Sequence, residues 1–108
     1  MEGMAEDVLG AVKLLVREGN WSLDPHAQRR MKERSITIPE VQYVLETGYR
    51  EEKKDTCQTY ASSGIKEMRY AIRGPTIDQR ELRVVIVLED GLWVVTVIDL
   101  SASPDNDS

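Results

Sequence analysis

Two Val- and Ile-rich runs, Leu82 to Leu88 and Leu92 to Ile98, stand on either side of Glu89-Asp90-Gly91, and they constrain the fold more than any other part of the chain. Asp-Gly between such runs is a strong hairpin signal, because both residues tolerate the backbone angles of a tight turn. The hairpin is expected at the centre of a sheet. Leu82, Val84, Ile86 and Leu88 fall on one side of the first strand, with Val85 and Val87 on the other. The second strand sets Val94 and Ile98 against Val95 and Val97. Strands that are apolar on both faces need a cover on each. Helices are expected on one face. The first helix, a partner subunit or another protein is expected on the other.

The helices are announced upstream. Met4, Val8, Val12 and Leu15, widened by Ala5, Leu9 and Val16, repeat at the spacing of one helical face, which predicts an amphipathic helix over Met4 to Glu18. Asp24-Pro25 reads as an N-cap followed by proline at the first helical position, where its missing N–H is harmless. Thr37-Ile38-Pro39-Glu40 is a capping box, and Ile36 before it can pack on Val41 as a hydrophobic staple. The helix after it should end at Gly48, a residue suited to a left-handed C-terminus. The short gap around Ser35-Ile36 predicts that these two helices form a tight hairpin. Trp21 to Leu23 is a short, extended connector.

Between Gly48 and the hairpin the periodicity changes. Tyr49 to Tyr60 is highly charged, as an edge strand or hairpin would be. Ala61 to Gly64 is a loop. Met68, Tyr70 and Ile72 then alternate with Arg69, Ala71 and Arg73, the period of a half-buried strand. The tail, 101–108, has nothing to bury and is expected to be disordered. The expected whole is one α+β domain over 1–100, with N-terminal helices on a three- to four-stranded, mainly antiparallel sheet.

Hydrophobic content of 41% beside 31% charged residues is that of a soluble globular chain. No apolar run is long enough to span a bilayer, and the acidic first residues do not resemble a signal peptide, so a cytoplasmic protein without a membrane partner is expected. The lone Cys57 agrees with a reducing compartment. One His and one Cys without paired spacing do not make a zinc site, so no metal is expected. No glycine-rich phosphate loop appears, and no cofactor is expected. The net charge of −5 argues against a general nucleic-acid binder, but the acidity sits at the two ends and leaves the middle slightly basic. Within that middle, His26, Arg30 and Arg34 repeat at four-residue spacing along one helix face.

The order of His26-Ala27-x-x-Arg30-Met31-x-x-Arg34, then Ile36, Val41 and Gly48, then Arg69-Tyr70-x-x-Arg73-Gly74 and a closing Val94-Val95-Thr96-Val97, resembles the small bacterial family called domain of unknown function 4258. The resemblance covers about residues 21 to 99. Members of that family look like the RelE, ParE and BrnT toxins in fold, and several are encoded as toxins beside an antitoxin. The resemblance therefore implies a RelE-like topology and a metal-free endoribonuclease toxin with an antitoxin protein as partner. A noncatalytic protein-interaction domain of the same fold is the alternative. The first helix precedes the region of resemblance and suits a docking role.

Metal-free RNA cleavage needs a base for the 2′-hydroxyl proton, cations for the charge gathering on the phosphate, and an acid for the leaving oxygen. His26, Arg30, Arg73 and Tyr70 are the candidate catalytic residues, and Arg34 and Arg69 the candidate RNA contacts. An imidazole titrates near cellular pH, guanidinium grips phosphate with paired donors, and a tyrosine stacks on a base or donates a proton. Each has a structural counterpart: a hydrogen bond to a nearby loop for His26, ion pairs with Glu33, Glu67 or Asp99 for Arg30 and Arg34, and core packing for Tyr70. The six act as one site only if the fold brings the His26 row beside Arg69 and Arg73.

Overall fold

The computed structural model of the chain describes residues 7–59, 63, 64 and 66–101. Helix α1 is Val8–Arg17, and Asp7 caps it by accepting from the Gly10 N–H at 3.0 Å. The Met4 end of the expected first helix lies outside the described residues. Helix α2 is Pro25–Arg34, with Asp24 accepting from the His26 N–H at 3.0 Å. Helix α3 is Ile38–Thr47, and its capping box is complete: Thr37 Oγ1 accepts from the Glu40 N–H at 3.3 Å, while Glu40 Oε1 accepts from the Thr37 N–H at 2.8 Å. Ile36 and Val41, the two staple residues, are both buried in the core.

Among the described residues six strands form the sheet: β1 Trp21–Leu23, β2 Tyr49–Arg50, β3 Thr56–Thr59, β4 Lys66–Pro75, β5 Glu81–Leu88 and β6 Leu92–Asp99. Their order is β1-β6-β5-β4-β2, with β3 also on β4. The expected three to four strands are therefore corrected to six; the sheet is mainly antiparallel, as expected, and is mixed only through β1 on β6. The Trp21 connector is a strand, parallel to β6 in the register Trp21 to Leu92 and Leu23 to Val94. It also separates α1 from the other two helices along the chain. The charged segment after Gly48 supplies two short strands on β4, joined by a 3₁₀ turn over Glu52–Lys54.

One buried cluster joins α1 (Val8, Val12, Val16), α2 (Ala27, Met31) and α3 (Val41, Val44, Leu45) to Ile72, Leu82, Val84, Ile86, Leu92, Val94 and Val97 of the sheet. The first helix thus lies on the same face as the other two. The two helices around Ser35 do not form a packed hairpin. Helix α2 packs on β6, and α3 packs on α1, β4 and β5. Only Ala27 and Met31 of α2 are buried, too narrow a stripe to serve both the sheet and a neighbouring helix.

The alternation of β6 is broken once. Val85 pairs with Thr96, but Ile86 pairs with Val94, so a bulge at Val95 resets the pleat. Val94 and Val97 then point into the core, while Ile98, expected with Val94, is exposed. On the opposite face, Trp93 and Ile98 lie open, with the side chains of Arg73 and Arg83 spread across the neighbouring strands.

Candidate functional site

Strand β4 carries three of the candidate residues. Arg69 and Arg73 alternate with Tyr70 and with the buried Ile72, so they leave the strand on the face away from the helices. There Arg73 is held by carboxylates. Its Nε donates to Glu81 at 2.8 Å and its Nη1 to Glu51 at 3.2 Å. Arg83, directly across on β5, donates from Nε to the same Glu51 at 2.6 Å. The Arg83 hydrogen bond, followed by that of Arg73, holds the Glu51 carboxyl below its ordinary pKa against the opposing effect of burial. The pairing with Glu81, then Glu51, correspondingly raises the pKa of Arg73. Arg69 pairs with Glu67 at 3.0 Å. Tyr70 is half-buried at the edge of the helix face, and the Arg50 guanidinium sits 5.1 Å from its ring centroid.

Arg50 belongs to a second polar frame. Its Nε and Nη2 donate to Asp55 Oδ2 at 3.0 and 2.7 Å, a contact that raises the arginine's pKa. The other oxygen of Asp55 accepts from the Ala71 N–H at 3.1 Å, while the Ala71 carbonyl accepts from the Glu51 N–H at 2.8 Å. Ala71 lies opposite the gap between β2 and β3, and these two contacts satisfy the backbone groups that the gap leaves open.

The remaining candidates lie on α2. His26 is exposed in the first turn, and its imidazole makes no hydrogen bond to the described residues. Arg30 and Arg34 follow on the same flank, both exposed. Arg30 has an exposed partner, Glu33, at 3.8 Å. No carboxylate among the described residues lies within ion-pair distance of Arg29, Lys32 or Arg34, and the expected partner Asp99 is engaged by Arg80 at 3.7 Å. Arg80 also donates to the Arg34 and Ser35 carbonyls, at 3.4 and 3.3 Å, and so braces the end of α2.

The fold therefore brings together His26, Arg30 and Arg34, and separately Arg69 and Arg73, but not the two groups with each other. Helix α2 covers β6 on the core face, whereas the arginines of β4 stand on the far face, beyond β5. The exposed cations Arg29 and Lys32 were not among the sequence candidates. The cue available for them was that α2 has only Ala27 and Met31 to bury, which turns every other side chain outward. Glu51, Asp55 and Arg83 carried no such cue, since adjacent charges after Gly48 look like a solvated edge.

No group of histidine, cysteine and carboxylate side chains able to hold a metal occurs among the described residues. No helix among them is long and apolar enough to cross a membrane. No curated protein and no solved structure matches the chain. A family model does match, over residues 23–99, from the last residue of β1 to the end of β6, which takes in both polar frames and the whole of α2. The chain thus belongs to the family described as domain of unknown function 4258.

Proposed function

We propose that this chain is the toxin-like component of a bacterial toxin–antitoxin pair and acts on RNA through the outer flank of α2. The observation that carries the proposal is the exposed row His26, Arg30 and Arg34, on a chain of net charge −5 whose sheet arginines are tied to carboxylates. Exposed cations with at most a long, exposed carboxylate partner on an acidic chain suit a phosphate backbone, which supplies the missing charge. The Arg30–Glu33 pair is long and exposed, and such pairs contribute at most about 1 kcal/mol, so phosphate displaces the carboxylate readily. His26 takes the 2′-hydroxyl proton as the 2′-oxygen attacks phosphorus, and its imidazolium then returns a proton to the departing 5′-oxygen. Arg30, one turn along, holds the non-bridging oxygens while charge gathers on them. In this account Arg69, Arg73 and Tyr70 keep the sheet in shape. A RelE-like arrangement of helices on a sheet, a cytoplasmic location and an antitoxin partner belong to the same proposal.

A second reading, a noncatalytic interaction domain of the same fold, is favoured by a different observation: His26 has neither Arg73 nor Tyr70 beside it. Inducible expression in a bacterial host separates the two. The toxin reading predicts growth arrest, relieved by His26→Ala or Arg30→Ala, and RNA cleavage by the purified protein that falls about a hundredfold or more in each variant. If the unaltered chain causes no arrest and cleaves no RNA, the toxin reading is refuted in favour of the interaction reading.

A further inference from the structure

The flank of α2 turned away from the His26 row borders a groove of about 500 Å³. At 100° per residue, Gln28, Met31 and Lys32 share one side of the helix, whereas His26, Arg30 and Arg34 lie on the other. The groove is floored by aliphatic side chains: Leu23 at the end of β1, Met31 of α2, and Ile36 and Ile38 at the entry to α3. Ile38 is 50% exposed although it opens a helix with a buried face, so its side chain stands at the groove rather than in the core. The amide of Gln28 is already engaged, donating to the Leu23 carbonyl at 3.0 Å. Lys32 on the rim, and Arg29 one turn before it, have no carboxylate within ion-pair distance among the described residues.

We propose that this groove docks an acidic amphipathic helical segment of a partner protein, with aliphatic side chains seated among Leu23, Met31, Ile36 and Ile38 and carboxylates meeting Lys32 and Arg29. The charge of the rim selects the sign of the partner. The floor selects its class. Single-stranded RNA binds along a track of cations or by stacking its bases on rings, and among the described residues the groove is lined by one lysine and no aromatic side chain. An aliphatic floor instead suits the anchors that an amphipathic helix presents at i and i+4. Helix α2 itself, ten residues or about 15 Å long, matches two to three turns of such a segment. The site does not depend on the proposed RNA chemistry, which uses the opposite flank.

Fluorescence anisotropy tests it with the full chain and two labelled helical peptides of the same leucine spacing, one filled with Glu and the other with Lys. The Glu peptide binds, and the Lys peptide binds at least about tenfold more weakly. Lys32→Glu and Ile38→Ser, both at exposed positions and both checked for folding by circular dichroism, each weaken the Glu peptide by about tenfold, while Arg34→Ala leaves it unchanged. The proposal is overturned if the Glu peptide fails to bind, if the Lys peptide binds equally, or if both folded variants retain the full affinity. It is also overturned if a short RNA displaces the Glu peptide from the unaltered chain but not from Lys32→Glu, which would make the rim a nucleic-acid contact. RNA cleavage measured on the same preparations reports separately on the His26 flank.

Discussion

Gly48 is required by its surroundings. Its backbone, at φ −78° and ψ −174°, is extended and open to any residue, contrary to the left-handed ending that a glycine after a helix suggests. A Cβ there would meet the Arg73 carbonyl and the Val44 carbonyl, each at 2.6 Å, and Gly74 packs against the same spot from β4. A left-handed residue does close α2, and it is Ser35, at φ 57°. Gly48→Ala is therefore expected to destabilise the protein by about 1–3 kcal/mol, as overpacking against backbone does, and thermal unfolding checks this. Glu51 is the other residue on which much depends. Glu51→Gln leaves Arg73 and Arg83 facing each other with weakened acceptors, at a cost on the order of 1–3 kcal/mol near neutral pH. Because the folded carboxyl titrates below its ordinary value, its contribution is complete above that value and is lost as pH falls through the folded pKa. The stability gap between the unaltered chain and Glu51→Gln should close on acidification. A gap that holds constant down to the acid transition would show that Glu51 acts without its charge.

At the scale of elements, what was legible in the sequence is what depends on neighbours in the chain. The Asp24 cap, the Thr37–Glu40 box and the turn at Asp90 and Gly91, with φ of 53° and 118°, all rest on contacts within a few residues. Strand β1 was not legible, because three residues carry no period and its place beside β6 is set by pairing across the fold. Nor was the bulge at Val95, a matter of register between strands rather than of composition. The charged excursion from Glu51 to Asp55 reads as a solvated edge until Ala71 is seen to need both of its contacts. Asp55→Ala removes the hydrogen-bonded partner of Arg50, leaving it only Glu52 at 3.8 Å, and removes the acceptor of the Ala71 N–H as well. Hydrogen exchange should quicken at Ala71 and along β3 well before it does in the β5–β6 pair, whose hydrogen bonds do not involve the excursion. Uniform acceleration across the sheet would show instead that the excursion is part of the cooperative core.

Over the whole molecule, the sheet separates two sets of arginines that the linear order placed in one candidate site. Those of β4 and β5 are neutralised at Glu51, Glu67 and Glu81, whereas the outer side of α2 keeps its charge exposed. Sequence supplied the row on α2, because helical spacing alone aligns His26, Arg30 and Arg34. It did not supply the separation, which depends on α2 lying over β6 while Arg69 and Arg73 point away from the helices. On the function proposed above, RNA meets the chain at α2 and not at the arginines of the sheet. The affinity for a labelled single-stranded RNA at stepped salt concentrations tests this, measured for the unaltered chain, Arg30→Ala, Arg34→Ala and Arg73→Ala at a temperature where all are folded. Each α2 variant should reduce the steepness of log affinity against log salt by about 0.7, the share of one phosphate contact on a single strand, with Arg73→Ala leaving it unchanged. A slope that flattens in Arg73→Ala and persists in both α2 variants would place the RNA on the sheet instead.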